Sequence, residues 1–317
     1  MRFGSRPLWL RVLGWPLGLA ALGAAVWFAA QQVDGAILAA VPPATLAAMT
    51  GLVLANLVLS GLLFWSVHRV LPAEKPVPAI TMVGLVAGSA LLNYLPAIRA
   101  GLFGRAAYLK KWHGIALRDS GWALLIVMAV TAGVFAAVAG PWLILRLSTP
   151  DGHTAHGLGW FGCVLATLAL LPGLRFALAS FFAGKRDLAT GSTWSPWLWL
   201  AGWIALRTTD LLSATGRLWL AFAALGSPIG FTEALVLSAA SLLVRLIGLT
   251  PNGLGLSEWT VAALSSVLSP AESGVAAAAA LLDRAVEVVA VIVLGGGAIG
   301  WLVRAQRRAN KMAARQE

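Results

Sequence analysis

The stretch Ser273–Val303, SGVAAAAALLDRAVEVVAVIVLGGGAIGWLV, decides the class of fold. A helix rising about 1.5 Å per residue needs about 20 residues to cross the hydrocarbon of a bilayer, and this run exceeds that. Its ionisable residues, Asp283, Arg284 and Glu287, sit together in the middle of the apolar sequence. Backbone polar groups in lipid must be paired within their own segment, so a helix is expected. Other apolar runs resemble it. Of the 317 residues, 59% are hydrophobic and 11% charged, with a mean hydropathy of +0.84. An ordinary globular domain carries about 25% charged residues. The composition therefore argues against a water-soluble protein.

Working outward, apolar runs at roughly 12–30, 44–67, 79–96, 122–145, 158–182, 196–223, 232–250 and 273–303 predict an all-α polytopic membrane protein of about eight transmembrane helices. Residues 1–303 form one integral membrane domain and 304–317 a basic tail. The first run follows Arg2, Arg6 and Arg11 and is read as a retained span. Pro42 and Pro43 open the second, and Pro141 is expected to kink or end the fourth.

Two stretches do not read as plain crossings: Leu95–Asp119 and Thr250–Glu272. Each opens on proline and glycine and continues as a short helical pattern, which suits a re-entrant or interfacial helix. Asp119-Ser-Gly121 after the first matches Glu272-Ser-Gly274 after the second, and a long apolar helix follows each. Residues 79–145 and 232–303 are thus candidate repeat units, an arrangement that surrounds substrate sites in transporters.

The net charge is +11, with 23 Lys and Arg against 12 Asp and Glu. No zinc-finger spacing or stacking motif accompanies it, so no nucleic-acid partner is expected. Anionic membrane lipids are the expected partners. Basic residues near the termini and between runs favour both termini in the cytoplasm. Cys163 stands alone, so an internal disulfide is excluded. His153 and His156 have no acidic or cysteine partner close by, and no phosphate-binding, dinucleotide or hydrolase motif is present. No catalytic residue, metal site or cofactor is expected, and oligomeric state is not legible.

Three groups of residues are candidates for binding. Arg99 and Arg105, with Lys110, Lys111 and His113 behind them, form a basic helix; arginine grips phosphate bidentately. Pro251 to Glu258 brings Asn252, Gly253, Gly255 and Glu258 into one loop, where a helix beginning near Ser257 would offer free backbone N–H groups to an anion. Glu258 is a candidate partner for Arg99 or Arg105. The third group lies inside the spans: Arg175, Arg207, Asp210, Arg217, Arg245, Asp283, Arg284 and Glu287. A charge at the centre of the hydrocarbon costs at least about 2.5–3.5 kcal/mol, so such residues face the bundle interior or water. Five positives against three negatives leave an excess that suits an anionic ligand.

Three features give the chain a resemblance to the transmembrane, flippase-like domain family of bacterial lysylphosphatidylglycerol synthases. Asn93-Tyr-Leu-Pro96 followed by Arg99, Gly101 and Arg105 is similar to its Pro-x-Arg-x-Gly element. Pro251-Asn-Gly-Leu-Gly-Leu-Ser-Glu258 is similar to its Pro-Gly-Gly-x-Gly-x-x-Glu element, and Arg284 to the arginine after its small-residue run. The chain departs in having an extra residue between Pro96 and Arg99, Leu102 where an acid is common, and Asn252 where glycine is usual. The resemblance implies a membrane protein that moves or accommodates a lipid, without catalysis in this domain. Only the basic tail follows the last run, so lysyl transfer is not expected of it. A small-anion transporter and a membrane scaffold remain the alternatives.

Overall fold

The computed structural model describes residues 8–69, 75–94, 100–148, 196–247, 250–269 and 271–313, all of whose regular elements are helical. In chain order these are α1 (Leu8–Ala30), α2 (Gly35–Ala39), α3 (Pro43–His68), α4 (Ala79–Leu92), α5 (Ala100–His113), α6 (Leu117–Ser148), α7 (Pro196–Ala224), α8 (Phe231–Ile247), a 3-10 turn (Pro251–Gly253), α9 (Leu256–Leu268) and α10 (Ser273–Ala313).

The expected count of about eight crossings is overturned. Among the described residues three helices are long and apolar enough to span a bilayer: Pro43–His68, Leu117–Ile144 and Ser273–Arg308. The apolar runs misled for identifiable reasons. Helix α4 has 14 residues, about 21 Å, which falls short of a hydrocarbon core of about 30 Å. Helix α7 has the length, at 29 residues, but Arg207, Asp210 and Arg217 dilute its apolar character. Helix α8 has 17 residues and carries Glu233 and Arg245. The run expected at 158–182 lies outside the described residues.

Local sequence explains the boundaries. Pro43 is the first residue of α3 with Pro42 extended before it at φ −62°, ψ 135°, where a missing N–H costs nothing. Pro141, expected to kink or end its helix, stays inside α6. The two proline–glycine stretches each form a short helix, α5 of 14 residues and α9 of 13. Each is followed by a long one, α6 or α10.

Small residues set the closest approaches. Ser89 Oγ on α4 donates to the Gly101 carbonyl on α5 at 2.9 Å. A Cβ on Gly101 would lie 2.0 Å from the Ser89 carbonyl oxygen, so no larger residue fits that crossing. Helices α4 and α10 also meet through small residues, with Gly295 against the Ala87 carbonyl. The turn before α9 is wedged between α1 and α8. Asn252 takes the left-handed conformation at φ 48°, which asparagine tolerates best after glycine. Gly255 has φ +78°, and a Cβ there would meet Ala21 at 2.4 Å. Trp259 Nε1 donates to the Ala21 carbonyl at 3.0 Å and its ring packs on Phe28, tying α9 to α1.

Gly255→Ala should therefore lower the unfolding midpoint in detergent, by an amount equivalent to about 1–3 kcal/mol from backbone strain alone. Gly23→Ala on α1 meets no atom within 4 Å and is expected to be neutral or slightly stabilising. Equal effects of the two substitutions would contradict the wedge.

Candidate functional site

Burying charge among helices is costly unless each charge is paired and hydrogen-bonded. The described residues meet that condition with one connected network across α3, α6, α7, α8, α9 and α10. At one end Arg207 on α7 pairs with Asp210 one turn on, donates to Thr131 Oγ1 of α6 at 2.6 Å and to Ser60 Oγ of α3 at 3.2 Å. Asn56 of α3 donates to Asp210 Oδ1 at 2.8 Å, and its Oδ1 accepts from Arg217 Nη1 at 3.4 Å. One amide thus joins two ion pairs.

Arg217 grips Asp283 of α10 with two parallel bonds, Nε to Oδ1 at 2.8 Å and Nη2 to Oδ2 at 3.1 Å. Its Nη2 also reaches Glu287 Oε2 at 3.4 Å, and Arg245 of α8 meets the same oxygen at 2.7 Å. Arg284 closes the other end. Its Nε donates to Glu258 Oε1 at 2.8 Å, and its Nη2 to Ser257 Oγ at 2.6 Å and the Asn252 carbonyl at 3.1 Å. Its Nη1 donates to Tyr94 OH at 3.3 Å and lies 3.7 Å from Glu287 Oε1. Tyr94 donates onward to Glu287 Oε1 at 3.3 Å. Glu258 is 1% exposed and Arg284 4%.

A cavity of about 20 Å³, enough for about one water, adjoins this end. Arg217, Ser238, Arg245, Ser257, Glu258 and Asp283 contribute its polar lining. Among the described residues, Ser238 Oγ, Arg245 Nε and Glu258 Oε2 are buried without a hydrogen-bond partner.

The expected residues fall into place unevenly. Arg207, Asp210, Glu258, Arg284 and Glu287 join the network, and Asn252 enters through its carbonyl. Gly253 and Gly255 shape the turn that presents Glu258. Glu258 pairs with Arg284 and not, among the described residues, with Arg105; Arg99 lies outside the described residues, as do His153, His156, Cys163 and Arg175. Helix α9 begins at Leu256 with Gly255 as its cap, so Ser257 lies within the first turn, where its hydroxyl donates to the Gly253 carbonyl at 3.0 Å. The expected positive excess is absent from the described network: Arg207, Arg217, Arg245 and Arg284 face Asp210, Glu258, Asp283 and Glu287, four against four.

Arg105 stands apart on α5. It is 7% exposed, its guanidinium carbon lies 3.6 Å from the Phe64 ring centroid, and no acid among the described residues offsets it. Burial pushes this guanidinium down to about 10, so it keeps its charge at neutral pH. His68, one turn after Phe64, is buried beside it and binds the Phe64 carbonyl through Nδ1 at 2.7 Å, leaving Nε2 without a partner among the described residues. Lys110, Lys111 and His113 occupy the last turn of α5, and His113 Nδ1 approaches the Lys75 carbonyl at 3.3 Å.

Sequence reasoning missed Asn56 and the role of Tyr94. Tyr94 is one of two tyrosines and follows Asn93 in the first motif, which is the signal that marked it.

The family model described as the lysylphosphatidylglycerol synthase TM region matches residues 15–295. The chain belongs to that family, a polytopic, flippase-like membrane family. The match is to the transmembrane region of such synthases and not to a transferase domain. Neither a curated protein nor a solved structure matches the chain. No group of three or more His, Cys, Asp or Glu among the described residues could hold a metal ion.

Arg217→Met removes both donors to Asp283 and is expected to destabilise the protein by about 3–5 kcal/mol, the cost of an uncompensated buried charge. Adding Asp283→Leu should recover most of that loss in detergent unfolding, because the orphaned carboxylate is then gone. A double variant as unstable as the sum of the singles would contradict the pairing.

Proposed function

We propose that this protein translocates an anionic or polar-headed membrane lipid, a phospholipid or an isoprenoid- or hopanoid-type lipid. The observation that carries the reading is the buried ion-pair network linking helices of a family that belongs to membranes. Hydrocarbon gives a lipid headgroup no place to cross, and a continuous row of paired charges supplies one without leaving any charge bare. Arg105 adds a cation with no acid beside it among the described residues, held against the Phe64 ring; a phosphate would offset its charge. The headgroup would pass between Arg105 and the Arg284 end of the network while the tail stays in lipid. A cavity with room for about one water makes this a closed arrangement, which must open for a headgroup to enter.

In this reading the protein resides in the bacterial inner membrane with both termini cytoplasmic. The two short helices α5 and α9 dip into the bilayer as members of a repeated unit, and lipid-synthesis enzymes supply the substrate. A second reading is transport of a small anion, which needs less opening of the same closed arrangement than a headgroup does.

The test uses the full chain in phosphatidylcholine vesicles with a trace of fluorescent phosphatidylglycerol, read by quenching of the outer leaflet. Translocation is expected to exceed that of protein-free vesicles. Arg105→Gln should slow it roughly 10–100-fold, the equivalent of one charge-assisted hydrogen bond of about 1.5–3 kcal/mol. Lys111→Gln, at an exposed position, should leave the rate within about twofold. No protein-dependent crossing of the lipid, with uptake of inorganic phosphate into the same vesicles, would replace this reading with the second.

A further inference from the structure

The four acids of the network differ in one respect. Asp210 has Oδ1 bonded to Asn56 and Oδ2 to Arg207. Both oxygens of Asp283 are held by Arg217. Glu287 has Tyr94 on Oε1 and Arg245 on Oε2. Glu258 has Arg284 on Oε1, while Oε2 has no donor among the described residues. That oxygen is deeply buried, and Glu258 lines the cavity that Ser238 Oγ and Arg245 Nε, also unpartnered, border.

Charge balance gives this difference a consequence. With four arginines facing four carboxylates, the network has no net charge to offer an incoming phosphate. Adding an anion to it would place an uncompensated charge in a low-dielectric interior, which is costly. Neutralising one carboxylate removes that cost. Every oxygen of the other three acids already accepts a hydrogen bond, from a guanidinium, Asn56 or Tyr94, and a proton there would compete with that donor. At Glu258 Oε2 it would not, and the cavity is large enough for a water to deliver it.

We infer that Glu258 Oε2 is a proton-binding site loaded together with the anionic headgroup, so that lipid and proton cross as an electrically neutral pair. The inference rests on the translocation reading and supplies its energy source. On loading, a proton from water forms one O–H bond at Oε2 and the carboxylate becomes a carboxylic acid. Its new donor has Ser238 Oγ or a water in the cavity as acceptor. Arg284 then holds one charge more than its acids offset, and the phosphate takes up that charge. On release the O–H bond breaks, the proton returns to water, and the Glu258–Arg284 pair re-forms.

The charged and titratable groups around Glu258 all belong to this balance: Arg284, Asp283 and Glu287 from α10, Arg245 from α8, Arg217 from α7 and Tyr94 beyond α4. Helix α1 also packs on α9, and its described side chains, Pro16–Ala30, include no titratable group.

The experiment imposes a pH difference across the vesicles described above, with the membrane potential clamped at zero by potassium and valinomycin. At steady state the fluorescent phosphatidylglycerol should move toward the alkaline side, with the leaflet ratio shifting up to about tenfold per unit of pH difference for one proton per lipid. A fluorescent phosphatidylcholine should show no shift. Glu258→Gln should abolish the shift, and Glu258→Asp should restore part of it. Where Glu258→Gln does not fold, infrared difference spectra of the unmodified protein decide. A carboxylic-acid band must appear when phosphatidylglycerol is added, and its absence overturns the inference. Phosphatidylglycerol that crosses but stays evenly distributed under the gradient overturns the proton coupling and leaves translocation standing. A shift that survives in Glu258→Gln removes Glu258 from the role, and no crossing at all ends both readings.

Discussion

The buried pair of Arg284 and Glu258 is the constraint on which the rest of this arrangement depends. Arg284 sits in a helix long enough to span the bilayer, where its charge would be expensive without partners. Five groups surround its guanidinium: Glu258, Ser257, the Asn252 carbonyl, Tyr94 and Glu287. They come from α9, the turn before it, the end of α4 and α10 itself. To satisfy one side chain the fold must bring those elements together. This is why the turn at Pro251–Gly253 adopts left-handed backbone at Asn252 and why α9 follows it so closely. A buried pair of this kind does not have to raise stability over an apolar alternative; its sure effect is to penalise any arrangement that separates the partners.

The same logic extends along α7. Asn56 couples the Arg207–Asp210 pair to Arg217, so the charges form a row instead of isolated pairs. Polar rows inside membrane proteins mark the paths that ions and headgroups take. Arg105 departs from that rule, since its charge is met by an aromatic face and no acid among the described residues. The two places differ in kind: one is balanced and one is bare.

Much of the site could be read before any coordinates, and the reasons are specific. Arg207, Asp210, Arg284 and Glu287 stand out because ionisable residues in apolar helices are expensive and so seldom incidental. Glu258 and its glycines stand out as a loop motif. Asn56 and the role of Tyr94 could not be read in the same way. They are neutral, they interrupt no periodicity, and their partners lie 154 and 193 residues away. Apolar composition overstates the number of crossings because it does not fix spanning length. Helices α4, α7 and α8 are apolar in bulk, yet they are too short or carry the very charges that build the site. The residues that point to the network are those that made the topology misleading.

Helix α10 carries the ionic cluster at Asp283, Arg284 and Glu287, and farther along it presses Gly295 against the Ala87 carbonyl of α4. The two contacts are about 12–18 Å apart on one continuous rod. Helix α4 in turn is locked to α5, the bearer of Arg105, through Ser89 and Gly101. Loosening of the guanidinium cluster would thus be geared mechanically to the helix holding the solitary cation, as a lever moves its far end when its fulcrum shifts.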